Sequence, residues 1–399
     1  MSAYAAFSSR NYCYLLAGMN LSNFGQQMLA IVAGWDLYQA TKSPVVLGNV
    51  GLVQIIPVLL LTFVAGHVAD HYDRRRTVLI TQTALALVGF GLFFSGASRG
   101  VALIYSALFV SSACRGFQWP VTTAMLPQTV PTELLTNAVS WNGTMREVAT
   151  IGGPALAGLL IGFSGSESVY LAQALCSIIS LACFSVLNLP QVQQEKGAEK
   201  GWRAVAEGLR FVWKDKVILS TMTLDMLAVL FGGATALLPI FASDILHIGA
   251  SGLGWMRAAP AVGAGLMSLY LAHHSGIRNA GMVLLASVAL FGCATIGFGL
   301  ATASWLSFFM LFLIGAFDAV SVVLRISLVQ MRTPDPLRGR VAAVNGLFIS
   351  SSNQWGAVES GLAAAWLGTV PSVVWGGVAT IVVVLAVGAW SRSLREWRQ

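Results

Sequence analysis

The sequence predicts an all-α membrane protein whose twelve transmembrane helices form two pseudo-symmetric six-helix bundles. The composition is 56% hydrophobic and only 10% charged, which is too apolar for a soluble domain. Apolar runs long enough to cross a bilayer recur along all 399 residues. Features of the first half also return in the second half at a constant spacing. Together these observations indicate a duplicated helical bundle in the lipid bilayer.

Each predicted helix rests on an apolar run, because a transmembrane helix needs about 20 such residues. The runs are 12–38, 45–68, 77–97, 101–125, 136–162, 168–187, 217–241, 252–271, 281–302, 305–330, 340–366 and 371–390. They divide the chain into an N-terminal six-helix bundle (1–189), a cytoplasmic linker (190–216) and a C-terminal six-helix bundle (217–399). The linker starts with a polar run and ends in an amphipathic segment, expected to lie along the inner membrane surface as a helix.

The basic residues predict the orientation. If both termini are cytoplasmic, the inner segments hold seventeen lysines and arginines and the outer segments only Lys42 and Arg99. Positive residues stay on the cytoplasmic side, so we expect a multi-pass membrane protein with both termini cytoplasmic. The net charge of +7 is explained by these loops, and no nucleic-acid partner is expected.

An internal repeat appears when the chain is shifted against itself by 203 residues, without gaps across spans 2 to 5 and 8 to 11. The matched residues are Pro57 and Pro260, Ala113 and Ala316, Pro131 and Pro334, Asn142 and Asn345, Gly153 and Gly356, and Gly158 and Gly361. Two related six-helix halves are typical of transporters in which the halves rock about a central site.

A charged turn joins spans 2 and 3 and reads GHVADHYDRRR at residues 66–76. Gly66 allows two helix ends to approach closely, Asp70 places an anion at the end of a span, and Arg74 and Arg75 are among the cations that hold the turn on the cytoplasmic side. Any positive-inside loop carries arginines, so the spacing alone leaves a purely topological function open.

We hypothesise that this turn is part of a cytoplasmic gate. Asp70 is expected to accept hydrogen bonds from the helix start near residues 339–342, where the helix dipole favours an anion. Arg74 or Arg75 is expected to pair with Glu133. These contacts would hold the cytoplasmic side shut in the outward-open state.

Six predicted spans carry ionisable side chains, each of which costs about 2.5–3.5 kcal/mol at the middle of a helix. They are Arg115, Arg146, Glu147, Asp225, Arg257, Asp318, Arg325 and Glu359. We expect them to face the protein interior or an aqueous cavity. Asp318 and Arg325 are two helical turns apart on one face, so they are expected to line one wall without direct contact.

Five of these residues are candidates for proton coupling: Arg115, Glu147, Asp225, Asp318 and Arg325. The hypothesis is that Asp225 or Asp318 shares a cavity with Arg115 and loses and regains a proton in each cycle, because burial opposes the charged carboxylate and a nearby cation favours it. The alternative is a structural ion pair.

Span 1 carries a polar stripe. Asn20, Asn23 and Gln26 recur every three residues and Gln27 follows Asn23 by four, which predicts a polar cavity lining or, alternatively, amide bonds between helices. Asp36, near the outer end of this span, is expected to reach the outer surface.

Span 5 concentrates small and helix-bending residues at Gly152, Gly153, Pro154 and Gly158. A kink or a tight helix crossing is expected there, with simple packing as the alternative. The sequence contains no phosphate-binding loop and no ligand cluster suited to a metal, so neither a cofactor nor an enzymatic activity is expected, and an ion gradient is the expected energy source.

These motifs in this order resemble those of the major facilitator superfamily. Its hallmark between helices 2 and 3, Gly-x-Leu-Ala-Asp-Arg-x-Gly-Arg-Lys, is similar to Gly66, Val68, Ala69, Asp70, Arg74 and Arg75, with departures at His71 and Asp73. Its helix 4 motif resembles Arg115 and Gln118, where Trp119 replaces a glycine, and its helix 5 antiporter motif resembles Gly153, Pro154 and Gly158, where Ala157 replaces a glycine. Gln118 and Trp119 join the polar stripe as candidates for the substrate cavity.

Within the superfamily, three segments (residues 35–60, 238–246 and 328–348) are similar to the branch of bacterial exporters that includes the enterobactin exporter and related drug efflux proteins. The resemblance implies a monomer in a bacterial inner (cytoplasmic) membrane that exports a small amphipathic molecule, such as a siderophore or a drug, by proton-coupled alternating access. Relatives in this branch often carry an Asp after the glycine of span 1, where this chain has Gln26. An equilibrative facilitator and a lipid or lysolipid flippase are the alternatives.

Overall fold

The computed structural model describes residues 4–96, 99–188, 202–273, 279–334 and 337–397, and among them it contains helices and no strand. The first half contains α1 (Arg10–Thr41), α2 (Pro44–His71), α3 (Arg74–Ser95), α4 (Val101–Met125), α5 (Leu135–Ser164) and α6 (Ser166–Val186). The second half contains α7 (Trp202–Lys214), α8 (Lys216–Gly232), α9 (Gly249–His273), α10 (Ala280–Leu300), α11 (Ser304–Arg332), α12 (Arg338–Leu367), α13 (Thr369–Trp390) and α14 (Arg392–Arg395). Short helical turns extend α8 as far as Ile245.

A long helix lies over each of the twelve predicted apolar runs. By length and hydropathy, nine stretches of the described chain can cross a membrane. Helices α1, α9 and α12 are not among them. The all-helical membrane fold is therefore observed, while the count of twelve crossings stays a prediction.

The helices pack as two compact units. The first comprises Met1–Thr41, Val53–Lys196 and Gly249–Ala258, and the second comprises Lys42–Leu52, Gly197–Ile248 and Ala259–Gln399. The start of α2 thus packs in the second unit and the start of α9 in the first. These two helix starts are related by the same 203-residue shift that relates the halves.

Local sequence signals explain where several helices begin. Asp73 caps α3 by accepting from the backbone N–H of Arg76 at 3.1 Å, and Asp215 caps α8 by accepting from Val217 at 2.9 Å. The tight turns before α6 and α13 need a backbone conformation that favours glycine, with φ of 81° at Gly165 and 93° at Gly368. These two glycines are also 203 residues apart, so the repeat extends to the turns.

Each unit has its own apolar core. In the first unit, the fully buried Tyr12, Leu15, Val78 and Phe184 pack together, and the Tyr12 hydroxyl donates to the Ala138 carbonyl at 2.9 Å. In the second unit, the core includes residues from α8, α10, α11, α12 and α13. Burial of this apolar surface lets each unit hold polar side chains at fixed positions.

The predicted amphipathic segment is observed as α7, and the polar residues 190–201 before it lie outside the described part of the chain. Helix α7 packs on the start of α12, where Glu207 forms an ion pair with Arg340 and Gly208 lies against the Arg340 backbone. Leu209 and Trp213 remain exposed, as expected for a helix at a membrane surface.

Candidate functional site

A polar pocket of about 210 Å³ lies within the first unit. Its lining comes from α1, α3, α4, α5 and α6 and comprises Met19, Asn20, Ser22, Asn23, Gln26, Gln82, Arg115, Gln118, Trp119, Thr122, Asn142, Arg146 and Phe184. Most of these side chains carry polar groups at the depth of predicted spans, where such groups are costly unless they serve a cavity. The pocket therefore contains most of the predicted cavity residues.

Hydrogen bonds position Arg115 in this pocket. Its Nε donates to Gln26 Oε1 at 2.9 Å, and Gln26 Nε2 in turn donates to Gln118 Oε1 at 3.4 Å. Gln118 Nε2 donates to Thr81 Oγ1 at 3.0 Å, and Thr81 donates to the Val78 carbonyl at 2.9 Å. Because the chain ends on a backbone group, every amide in it has a defined orientation.

The predicted cavity residues differ in their surroundings. Asn20 donates to the Leu16 carbonyl of its own helix at 2.8 Å, whereas the buried Asn23 Nδ2 has no partner among the described residues. Gln27 is not among the residues that line this pocket. A Cβ on Gly153 would lie 2.8 Å from the Gln27 Cβ, so Gln27 packs against α5.

Trp119 and the two ionisable residues of α5 lie on accessible surface. Trp119 is 60% exposed and lines the pocket, and the Arg146 guanidinium lies over its ring at 5.7 Å from the centroid. The neighbouring Glu147 is exposed and is not among the pocket's lining residues. The structure thus separates Glu147 from the other candidates for proton coupling.

A buried ionic cluster lies within the second unit. Arg325 Nη2 is 3.1 Å from Asp225 Oδ1, and its Nη1 donates to Asn345 Oδ1 at 2.9 Å. Asp225 is 7% exposed and Arg325 is 2% exposed, so this is a desolvated ion pair.

Asp318 completes the cluster. It lines a small cavity of about 10 Å³ together with Asp225, and it is close enough to interact electrostatically with both Asp225 and Arg325. Asp318 and Arg325 are two helical turns apart within α11, and that they line one wall stays a prediction from this spacing. The pairing of Arg325 with Asp225 on α8 was not predicted.

The two sites occupy repeat-related positions. The 203-residue shift carries Ser22, Arg115, Thr122 and Asn142 of the pocket onto Asp225, Asp318, Arg325 and Asn345 of the cluster. It also carries Gln118 onto Ser321, which lines the small cavity beside Asp318. The position of the cation Arg115 in the first unit is therefore the position of the acid Asp318 in the second unit. Asn345, which the sequence reasoning did not identify as a site residue, is the repeat partner of Asn142, so the shift gives it as soon as Asn142 is recognised as a pocket residue.

The predicted gate is described only in part. The side chains of Gly66 and Asp70 lie outside the described part of the structure, although both residues are within α2. Arg74 Nη1 donates to the Ala124 carbonyl at 3.2 Å, and Arg75 donates to the Ser185 carbonyl.

Glu133, the acid expected to pair with Arg74 or Arg75, is exposed. Among the described contacts neither arginine pairs with it, so the pairing expected in the outward-open state stays a prediction. The described contacts of both cations go to backbone carbonyls near the ends of α4 and α6, where the last turn of a helix leaves carbonyls without intrahelical donors.

The glycines of α5 lie at a tight helix crossing. A Cβ on Gly158 would lie 2.6 Å from the Ala250 carbonyl oxygen and 2.8 Å from the Gly254 Cα of α9. Pro154 is within the continuous helix α5, and its carbonyl lies at the same crossing, 2.6 Å from a Cβ built on Gly254. Small residues permit this backbone approach.

Asp36 is part of a second ionic cluster rather than reaching freely to the surface. Asp36 Oδ2 is 3.6 Å from Arg99 Nε and accepts from the Tyr170 hydroxyl at 3.0 Å, while Arg99 Nη2 donates to Glu167 at 2.7 Å. The Asp36 and Arg99 side chains are largely buried. Sequence reasoning missed this cluster because its members are far apart in the chain.

Two bundled units with ionisable residues inside membrane-spanning helices define a polytopic membrane transporter. The sequence profile of the Major Facilitator Superfamily matches residues 15–358. The chain belongs to the Major Facilitator Superfamily. It is thus a transporter of small molecules and not an enzyme, and the predicted resemblance is confirmed.

Individual relatives are similar at low identity. The staphyloferrin A transporter of Staphylococcus aureus is 26% identical over 293 residues, covering 71% of this chain and 72% of the relative. The enterobactin exporter EntS of Citrobacter koseri is 26% identical over 347 residues, covering 84% of this chain and 81% of the relative. The crystal structure of the nucleoside transporter NupG matches with a TM-score of 0.74 at 14% identity, covering 97% of this chain and 99% of that one, which shows the shared fold.

Proposed function

We propose that this protein is a proton-coupled antiporter that exports small amphipathic molecules, of the siderophore or drug type, across a bacterial inner membrane. Both termini face the cytoplasm, the protein acts as a monomer, and the two halves alternate access to the substrate. One relative is named as an enterobactin exporter and another as a staphyloferrin A transporter, and these names support a siderophore as the first substrate to test.

One observation carries the proposed coupling: two carboxylates, Asp225 and Asp318, accompany one guanidinium, Arg325, inside the second unit. One negative charge is therefore in excess in a desolvated place, where an unpaired charge is expensive. A proton on one carboxyl removes that excess. The cavity beside the acids has room for about one water molecule, which suits proton transfer.

The cluster also offers a way to link protonation to conformation. Asn345 on α12 accepts from Arg325 on α11, and Asp225 on α8 pairs with the same guanidinium. Protonation of Asp225 weakens its ion pair with Arg325. The guanidinium then keeps its hydrogen bond to Asn345 and its electrostatic interaction with Asp318. A change of partner at Arg325 would thus alter the contacts between α8, α11 and α12, which is the differential interaction that a conformational switch requires.

The test uses purified protein in proteoliposomes with a pH-sensitive dye inside and an imposed pH gradient. Addition of enterobactin or staphyloferrin A is expected to dissipate the gradient with wild type and not with Asp318→Asn. Glu147→Gln is the matched control, because Glu147 is an acid at membrane depth that lies outside both clusters, and this variant should retain exchange.

Three further outcomes distinguish the alternatives. Substrate flux that is indifferent to the pH gradient indicates an equilibrative facilitator. Movement of a fluorescent lysolipid between leaflets, without response to either siderophore, indicates a flippase. Full pH-driven exchange by Asp318→Asn and by Asp225→Asn contradicts the assignment of the acids.

A further inference from the structure

The pocket of the first unit carries two arginines and no acid among its described lining residues. Arg115 makes its one described side-chain hydrogen bond to the neutral Gln26, and Arg146 lies over the Trp119 ring. No carboxylate of the described chain lies within ion-pair distance of either guanidinium. Two uncompensated cations at membrane depth are unfavourable by themselves and attract an anion.

The hydrogen-bond chain behind Arg115 fixes its direction. Gln26 accepts from the Arg115 Nε, and Gln118 and Thr81 hold Gln26 in place. The terminal nitrogens of the guanidinium are therefore left for another acceptor, and their planar fork matches the two oxygens of a carboxylate. Arg115 is accessible from the pocket, so a ligand can reach it.

Unsatisfied amides in the same lining indicate a polar ligand. Gln82 is 0% exposed, and neither its Nε2 nor its Oε1 has a partner among the described residues. Asn23 Nδ2 is likewise buried without a described partner. Buried polar atoms are normally hydrogen-bonded, and a pocket that leaves several unmet is suited to a ligand with polar groups of its own.

One side of the pocket is aromatic and apolar. Trp119 is 60% exposed, and Met19 and Phe184 contribute apolar atoms to the lining. An exposed indole presents a flat face on which an aromatic or otherwise planar group can stack. The lining thus combines a cationic end with an apolar face.

We propose that this pocket binds the transported molecule through an anionic group, a carboxylate or a phenolate held by Arg115 and Arg146, with the apolar part of the molecule against Trp119. This assignment rests on the proposed transport function and specifies its substrate class as amphipathic organic anions. The neutral Gln26 is the specificity-determining residue, because a carboxylate at that position would neutralise Arg115 and remove the anion site.

The first experiment needs no variant. Binding of three probes of matched size, 1-naphthoate, 1-naphthamide and 1-naphthylmethylamine, is measured on purified full-length protein by thermal shift and by equilibrium dialysis. 1-Naphthoate is expected to bind at least about 10-fold more tightly than the amide, as for a charge-assisted hydrogen bond, and the amine most weakly. Equal binding of all three, or tightest binding of the amine, overturns the proposal.

The second experiment changes the charge of the site without changing its shape. Gln26→Glu keeps an acceptor for Arg115 Nε and adds a negative charge, so naphthoate affinity should fall by about 10-fold or more while naphthylmethylamine affinity rises. Arg115→Gln should also lose naphthoate affinity. Arg76→Gln removes an exposed arginine outside the pocket and should leave naphthoate binding unchanged. Unchanged naphthoate affinity in both pocket variants overturns the proposal. Melting curves of the unliganded proteins measure folding separately, so a variant that folds poorly is recognised.

Binding and transport can fail independently. If the three naphthyl probes bind equally well and siderophore exchange is driven by the pH gradient, the proposed substrate class is wrong and the antiporter function is supported. If naphthoate binds selectively, this binding is lost in Gln26→Glu and substrate flux does not depend on the pH gradient, the proposed substrate class is supported and the antiporter function is wrong.

Discussion

The contrast between two arginines explains most of the chemistry at the scale of single residues. Arg325 is buried with two carboxylates and an amide around it, whereas the one described side-chain hydrogen bond of Arg115 goes to the neutral amide of Gln26. A site in which carboxylates outnumber the guanidinium favours the binding of a proton to one carboxylate. A site in which the guanidinium has no carboxylate beside it favours an anionic ligand. In the proposed transport cycle, the same residue type therefore supports two different steps.

The charge balance of the second unit predicts that removing one acid and removing both acids have different effects on the free energy of unfolding. The double variant Asp225→Asn/Asp318→Asn leaves Arg325 buried without a carboxylate and should cost about 3 kcal/mol or more. Asp318→Asn alone should be close to neutral, because it removes the surplus charge and keeps the Asp225 pair. Denaturant-induced unfolding in detergent measures these changes, and equal costs for the single and double variants would contradict the charge-balance interpretation.

At the scale of elements, small residues decide where helices cross. Gly158 of α5 contacts Gly254 of α9 in the first unit, and the repeat-related Gly361 of α12 contacts Gly48 of α2 in the second unit. Van der Waals packing at such close backbone contacts stabilises helix pairs in membranes. The sequence predicted a tight crossing at α5 from its glycines and proline, but the partner helix could not be inferred from the pattern.

Two glycines of α5 provide a matched test of this crossing. Gly158→Ala places a methyl group 2.6 Å from the Ala250 carbonyl oxygen and should destabilise the protein by about 1–3 kcal/mol. Gly143→Ala meets nothing within 4 Å and should be neutral or stabilise by up to about 1 kcal/mol, because alanine favours the helix. Thermal melting of both variants measures the difference, and shifts of the same sign would show that the crossing is not tight.

The apolar runs and the composition were sufficient to predict the helices and the amphipathic linker helix, and comparison of the chain with itself revealed the repeat. Gln118, Trp119 and the polar stripe of α1 were predicted as candidates for one cavity. Arg115 was instead expected to share a cavity with Asp225 or Asp318, whereas the structure places it in the pocket with Gln26 and Gln118. The partners of these residues were harder to predict. Pairs such as Asp225 with Arg325 or Asp36 with Arg99 join distant helices, and only tertiary packing brings them together.

For the whole molecule, the duplication places two sites at equivalent positions and gives them opposite charge. Ser22, Arg115 and Thr122 in the first half correspond to Asp225, Asp318 and Arg325 in the second. Duplicated halves keep their scaffold through helix packing, which leaves the interior polar residues free to diverge. We infer that one half became specialised for the substrate and the other for the proton.

The proposed functions of the two halves, substrate binding and proton coupling, can be tested separately by experiment. Counterflow, in which labelled substrate outside exchanges with unlabelled substrate inside, needs no net proton movement, whereas uphill transport driven by a pH gradient does. Variants of the substrate site should lose both activities. Variants of the proton site should lose only the second.

The most direct measurement is therefore a comparison of counterflow and pH-driven uptake for Arg115→Gln and Asp318→Asn in proteoliposomes, using the organic acid that stabilises the wild-type protein most. We predict that Asp318→Asn retains counterflow and loses pH-driven uptake, and that Arg115→Gln loses both. Loss of counterflow in Asp318→Asn together with its retention in Arg115→Gln would contradict the assignment of substrate binding to the first half and proton coupling to the second.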